Sequence, residues 1–405
     1  MNSEKLWSRN FLAISLSSFF VFITFYMLAV ALPVFVLEQL QGNKEGIGLV
    51  TTVFIIAAVV SRPLTGKYLG QVNRKKLTLA SVALFALCSF LYLFIHDYSL
   101  LLALRFVHGL TFGISATAVS AIILDVIPEK RKGEGIGYFS LFMSIAMVIG
   151  PFLGLSMVSD SNYNVMFTAI TIFSILSFIC ICIAQVPKML DKSPALSAWN
   201  IKSYIEPSAI PISLTGFVMA FSYAGISTFI YIFAKSIGLE RYASFFFIVF
   251  AALILLSRPF TGRLYDKKGA HILVYPGIVL FTVGMIWLSQ AESPLVFFIT
   301  AGMLGLGYGA MLPSFQTIAV QTAPPHRRAL ATSTYFVFFD LGFGIGSYVL
   351  GLIAAKTDYR SMFLIGGVSV ALMAVIYYIL HHRREQLQLK TVEGGTRSQQ
   401  VASEV

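Results

Sequence analysis

Apolar stretches of roughly twenty residues or more recur from one end of this chain to the other, broken by short polar clusters. Each is long enough to cross a hydrocarbon core of about 30 Å as a helix. Twelve spans are expected, at about 11–37, 47–69, 78–95, 99–124, 135–157, 165–186, 210–234, 243–264, 272–290, 295–321, 329–355 and 361–381. The composition agrees, with 57% of residues hydrophobic and 12% charged, against about half and about a quarter in soluble domains. A strand-built pore would show alternating segments of roughly ten residues, and no such alternation is seen. The first run is too long for a cleavable signal segment and has no clear cleavage site, so it is expected to stay as an anchor.

The net charge of +11 raises the question of nucleic acid, which its distribution answers. With the N-terminus inside, the inner loops and tail carry Lys5, Arg9, Lys67, Arg74 to Lys76, Lys130 to Lys132, Lys188, Lys192, Lys202, Arg263, Lys267, Lys268, Arg327, Arg328, Arg383, Arg384, Lys390 and Arg397. The outer loops carry Lys44, Lys235, Arg241, Lys356 and Arg360. This positive-inside bias places both termini in the cytoplasm. The basic excess sets topology and meets anionic lipid heads; no nucleic acid is expected as a partner. Cys88, Cys180 and Cys182 fall inside apolar spans and behave as small hydrophobes, with no His or Cys at metal-ligand spacing.

The chain repeats itself. A shift of 196 residues superimposes Ser61-Arg62-Pro63 on Ser257-Arg258-Pro259 and Thr65-Gly66 on Thr261-Gly262. The same shift carries Gly109 to Gly305, Gly113 to Gly309, Pro128 to Pro324, Arg131 to Arg327 and Gly150 to Gly346. One offset running through four spans and their loops implies two parallel halves of six helices each. The expected organisation is a first six-helix bundle over 1–186, a cytoplasmic linker over 187–209, a second bundle over 210–381 and a cytoplasmic, disordered tail over 382–405. The linker is polar and punctuated by proline; its Ser197–Ile201 portion reads equally as a short amphipathic surface helix or a plain loop. Two halves of one orientation suggest rocking around a central cavity.

After span two runs "GKYLGQVNRKK" (Gly66 to Lys76), and after span eight "GRLYDKKGAHI" (Gly262 to Ile272). Both resemble the loop signature of the major facilitator superfamily, Gly-x-x-x-Asp-x-x-Gly-Arg-Lys. The second copy keeps Gly262, Asp266 and Gly269; the first keeps Gly66, Arg74 and Lys75, with Gly70 in the aspartate's place and Asn73 in the glycine's. The resemblance implies a cytoplasmic latch whose acid pairs with bases and helix N-termini of the other half. In span four, "LLALRFVHGLTFG" resembles the family's antiporter motif, with Arg105 about seven residues inside the membrane and His108 on the same helix face. The resemblance gives Arg105 a role in tuning carboxylate protonation or binding substrate; the alternative is an arginine that snorkels to the outer interface. In span five, Gly150, Pro151 and Gly154 resemble the antiporter Gly-Pro-x-x-Gly-Gly signature with Leu155 for its last glycine, and Ser347 aligns with Pro151 in the second half. A kink in one half alone is, by the resemblance, a mark of exporters.

Acids inside the spans are few. Asp340, in "FFDLGFGIG", falls near mid-membrane. Burial and a neighbouring cation pull a carboxylate's proton affinity in opposite directions, which suits a group that takes up and releases a proton; the alternative is a packing residue. Asp125 reads as a helix-end residue with a latch or proton role, and Glu38 and Glu240 as solvated helix ends. Arg62 and Arg258 read first as gate or anchor residues that snorkel to the inner face, and second as substrate ligands. By family geometry the cavity is lined by spans one, four, seven and ten, which offer Tyr26, His108, Tyr223, Tyr231, Tyr308 and Gln316 as substrate-binding candidates.

The resulting expectation is an all-α membrane protein, a secondary active exporter of drugs or metabolites driven by proton antiport, in the bacterial efflux branch and the cell membrane. Its partners are a small-molecule substrate, protons and the lipid bilayer, and it acts as a monomer without cofactor or metal; no phosphate-binding loop for ATP appears. Two alternatives stand: an importer of a sugar or organic anion with Arg105 as clamp, and an exporter dedicated to a metal-chelating metabolite. An enzyme would need clustered catalytic side chains, and the histidines are scattered along the sequence apart from the pair His381 and His382.

Overall fold

The computed structural model describes residues 6–40, 44–69, 72–128, 131–159, 163–185, 204–324 and 327–383. Twelve helices long and apolar enough to cross a membrane lie in them, with no strand among the described residues. They are α1 (Arg9–Glu38), α2 (Lys44–Tyr68), α3 (Arg74–Leu91), α4 (Tyr98–Val126), α5 (Lys132–Ser159), α6 (Tyr163–Ile183), α7 (Ile210–Ser236), α8 (Ala243–Lys268), α9 (His271–Ser289), α10 (Pro294–Gln321), α11 (Arg328–Lys356) and α12 (Tyr359–Tyr377). In hydrocarbon every backbone polar group must be satisfied within its segment, which leaves the helix as the available form here. Side-chain oxygens fix where several begin: Ser8 accepts from Phe11 N, Asn73 from Lys76 N, Asp97 from Leu100 N and Asp358 from Ser361 N.

The helices overrun most of the apolar stretches, and one consequence corrects the sequence reading. Gly66 lies inside α2, and Gly262 and Asp266 lie inside α8, so the latch signature begins on a helix and not in a loop. The true turn comes at Gly269, whose φ of 79° suits glycine and ends α8. Gly70 lies outside the described residues, as do Ser197–Ile201 of the linker and the tail beyond Arg383. The side chains of Arg258 and Asp266 lie outside them too. Where the second half begins, Glu206 receives Ser208 and Arg327 on its carboxylate, and its own N–H donates to Thr334 Oγ1. Burial would raise that carboxyl's pKa, but the Ser208 and Arg327 bonds outweigh it and hold it below the ordinary glutamate range.

The packing carries the repeat into three dimensions. In the first half α1 packs on α5 and α6, α2 on α4, and α3 on α4 and α6; in the second α7 packs on α11 and α12, α8 on α10, and α9 on α10 and α12. Even the close approaches recur. A Cβ on Gly109 would strike the Phe54 carbonyl, and one on Gly305 the Phe250 carbonyl. Gly113 sits against Ser61, and Gly309 against Ser257. Both glycine pairs let backbones approach where lipid supplies no hydrophobic drive. The two SRP serines therefore face the paired glycines, and each bonds back to its own helix, Ser61 to Ala58 O and Ser257 to Ile254 O at 2.9 Å. The halves meet along α2–α11, α5–α8 and α1–α7. α1 and α7 are the most enclosed, while residues such as Phe260 (75% exposed) face outward as expected toward lipid.

Alanine at Gly109 or Gly305 forces a methyl into a backbone carbonyl, an overpacking of about 1–3 kcal/mol. Each should lower the thermal unfolding midpoint of the detergent-solubilised protein. Gly302→Ala, whose methyl meets nothing nearer than 3.8 Å, should leave it unchanged; equal effects at all three positions would refute the packing account.

Candidate functional site

The seam between α2 and α11 holds the site. Gly48, Thr52, Ile55 and Arg62 share one face of α2, and Asp340, Phe343, Gly344 and Ser347 share one face of α11. A Cβ on Gly48 would collide with the Ser347 carbonyl, and Gly344 lies against Ile55. Thr52 Oγ1 donates to Gly344 O at 2.6 Å, a hydrogen bond between the halves. Nearer the end of the bundle where α1 begins, Arg62 Nη2 meets Asp340 Oδ2 at 3.0 Å, each side chain 14% exposed. Arg62, read first as a gate or anchor residue, thus reaches across to the acid of α11 instead of turning to the inner face. The pair is imperfectly satisfied, since the buried Arg62 Nε has no hydrogen-bond partner among the described residues. The Arg62 guanidinium also lies 5.7 Å from the ring centre of Phe112 on α4. Tyr26 on α1 packs beside Phe22 and Phe25 at 6.3 and 5.0 Å.

Aromatic rings continue the seam between the halves. Phe25 stacks on Phe54 at 5.4 Å and on Phe112 at 5.0 Å. Across the interface Phe25 approaches Phe343 at 6.3 Å, which lies 6.0 Å from Tyr223, itself 4.7 Å from Tyr308. At the face opposite the termini, Glu38 at the end of α1 accepts from Lys235 Nζ of α7 and from Tyr163 OH of α6, both at 2.6 Å. Glu38 is thus a tie between the halves rather than a merely solvated end. A cavity of about 550 Å³ opens beside it, lined by Glu38, Phe152, Tyr231, Lys235, Glu240 and Phe245. Phe152 of α5 and Phe245 of α8 approach at 6.2 Å there.

Other expected site residues go elsewhere. Arg105 is fully buried inside the first half. It donates to Val50 O at 3.2 Å and to Tyr92 OH at 3.4 Å, and its guanidinium lies 4.0 Å from the Phe54 ring centre. It neither snorkels nor reaches Asp340. His108, also fully buried, bonds Tyr92 OH at 3.1 Å and Ser89 Oγ at 3.4 Å, and Ser89 continues to Ser174 at 2.8 Å. These groups form a polar core between α3, α4 and α6, apart from the seam. Arg74 pairs with Asp125 within the first half, so the first latch arginine holds α3 to α4. Gly150 and Pro151 are buried in α5, and Gly150 lets α5 approach α1 at Tyr26. Tyr231 lines the cavity at the Glu38 face, and Gln316 is half-buried on α10.

The scattered histidines also converge. His271 on α9 stacks on His382 with ring centres 3.8 Å apart; His271 bonds Tyr377 OH at 2.8 Å and His382 bonds Tyr275 OH at 2.7 Å. His381 and His382 belong to a π-helical turn (Tyr378–His382) that continues α12, and the expected tail therefore starts inside a helix. No group of three or more metal-ligating side chains occurs among the described residues.

Losing one member of the Arg62–Asp340 pair leaves a buried charge uncompensated, at a cost of about 3–5 kcal/mol. Arg62→Gln should therefore destabilise the purified protein, and adding Asp340→Asn should restore much of the loss. Thermal unfolding reads both, and additive losses in the double variant would refute the pairing.

A family model for the Major Facilitator Superfamily matches residues 14–347, with a second match over 276–402. The chain is 21% identical over 358 residues to the Staphylopine export protein of Staphylococcus aureus, across 84% of this chain and 89% of that protein. It is 24% identical over 392 residues to the Multidrug resistance protein MdtG of Klebsiella pneumoniae, across 93% of this chain and 94% of that protein. Among solved structures, a bacterial homolog of the human lysosomal transporter Spinster superposes with a TM-score of 0.77 at 15% identity, covering 94% of this chain and 98% of that one. Match, fold and twelve apolar helices agree: the chain belongs to the Major Facilitator Superfamily and is a multi-pass membrane transporter, not an enzyme.

Proposed function

We propose that this transporter is a secondary active exporter of small organic molecules in the cell membrane, driven by proton antiport, with both termini cytoplasmic. The observation that carries the reading is the Arg62–Asp340 pair, an acid and a base from opposite halves facing each other within the membrane. Alternating access requires the α2–α11 seam to part, and parting it as charged would expose two uncompensated ions to a poorly polar environment. A proton on Asp340 removes one charge and the attraction with it. Proton entry, separation of the halves and outward release of substrate are then one sequence, reset when the proton leaves to the cytoplasm.

On this reading the Glu38–Lys235 tie and the Gly48–Ser347 contact close the outer face. The relatives, an export protein and a multidrug resistance protein, support export of a drug or a metabolite. A dedicated metabolite exporter is the second reading, favoured by the staphylopine relative. The importer reading loses its clamp, because Arg105 is fully buried and held by Val50 and Phe54 of α2 and by Tyr92, just past the end of α3.

Asp340→Asn should abolish efflux driven by a pH gradient in proteoliposomes while the protein still folds and inserts; undiminished pH-driven efflux would sink the assignment. The outer tie has its own check. Cysteines at 38 and 235, joined by a short bifunctional thiol reagent, should stop efflux in cells, and the two cysteines left unlinked should not. Continued efflux with the link in place would show that this face need not open.

A further inference from the structure

Protonating Asp340 solves one electrostatic problem and creates another. Arg62 keeps its charge, and in the membrane a cation that loses its counter-ion is costly unless something replaces it. The geometry points to the face of Phe112 as that replacement: we infer that Phe112 is a positioning residue, a cation–π holding site for the Arg62 guanidinium while Asp340 carries the proton. The inference rests on the coupling role given to Asp340 above.

Three observations converge on this ring. First, the guanidinium already lies 5.7 Å from the Phe112 centre while still paired with Asp340, inside the range of about 6 Å over which a ring attracts a cation. Second, the neighbouring Phe54 ring already holds another guanidinium, that of Arg105, at 4.0 Å, whereas Phe112, packed 5.2 Å from Phe54 and 5.0 Å from Phe25, has Arg62 as its nearest cation among the described residues. Third, Phe112 moves with Arg62. It sits on α4 between Gly109 and Gly113, the residues whose missing side chains bring α4 against α2 at Phe54, Ala58 and Ser61. When the halves part, Asp340 leaves with α11, whereas Phe112 stays beside α2. Arg62 Nε, buried without a hydrogen-bond partner among the described residues, shows that the present pairing does not use the whole guanidinium. Among the described residues the titratable and charged groups around Asp340 are Arg62 from α2 and Tyr26 from α1, with Tyr223 from α7 and Tyr308 from α10 beyond Tyr26; none of these supplies a second anion for Arg62.

The test replaces Phe112 with Trp, 3,4,5-trifluorophenylalanine and Leu in the full-length protein reconstituted in nanodiscs. The protonation of Asp340 is followed by its carboxyl infrared band, with Asp340→Asn as the blank, and transport is followed in liposomes. Weakening the ring destabilises the protonated state, so a higher proton concentration is needed to reach it. The midpoint should fall by roughly half to one pH unit in the Leu and trifluoro variants and stay or rise in the Trp variant. The trifluoro ring keeps the shape of phenylalanine and weakens its negative face, so a packing role alone leaves its midpoint at the wild-type value. An unmoved midpoint in the trifluoro variant overturns the inference, whatever Leu does. Absence of any Asp340-dependent band change in the wild-type protein overturns the coupling role itself and the inference with it. A wild-type titration that is merely insensitive to Phe112 overturns the inference alone.

Discussion

The structure is organised around one charge pair in a place where charge is expensive. Arg62 and Asp340 lie within the membrane on the two helices that form the longest seam between the halves. A charged side chain at membrane depth persists by pairing, by reaching water or by lining a cavity. Here pairing does it, and it ties the halves together at the same time. The rest of the seam is built of groups that tolerate sliding or separation: a glycine against a backbone carbonyl, one threonine hydroxyl and aromatic rings. Among the described residues the ion pair is the charged contact in that seam, and it is the one on which the proposed proton coupling acts.

The repeat sets this seam beside its counterpart in the other pairing of helices. The α5–α8 seam is the pseudo-symmetric counterpart of α2–α11, and Arg258 stands where the repeat places the equivalent of Arg62. The same offset puts Ser144 where Asp340 would be. The duplicated SRP pattern thus keeps its helix-packing use in both halves, through Ser61 with Gly113 and Ser257 with Gly309. The first copy adds a carboxylate across the seam, Asp340, where the offset gives the second copy Ser144. The two latch signatures diverge the other way, with Asp266 in the second copy and Gly70 in the first.

Much of this was legible in the residues. Length and hydropathy placed all twelve helices, because a membrane leaves a segment of that kind one secondary structure. The offset of 196 residues predicted paired contacts that the packing repeats helix for helix. What stayed hidden was pairing at long range. Nothing local to Arg62 names Asp340, which lies on the opposite half; a signal was present, since a repeated arginine and a lone mid-membrane acid call for each other. Glu38 read as solvated because its partners, Lys235 and Tyr163, lie on α7 and α6. Arg105 and His108 matched a family motif, and the motif gave their helix face without saying which neighbour that face meets. His271 and His382 are distant in sequence and stack because α9 and α12 are neighbours.

Two of the ties between the halves differ in how far water reaches them. Glu38 and Lys235 are 22% and 48% exposed, and a pair so open to water contributes about 0–1 kcal/mol. Such a tie closes a face but cannot by itself hold it closed. Arg62 and Asp340, each 14% exposed, lose far more when separated as ions. Resistance to opening therefore resides at the deeper pair, and the outer tie follows it. Under the proposed coupling, a proton reaching Asp340 acts at the stronger of these two ties, and the cost it leaves behind is one bare guanidinium. How the first half accommodates that cation, with Phe112 already beneath it, determines whether protonation is a usable step or a trap.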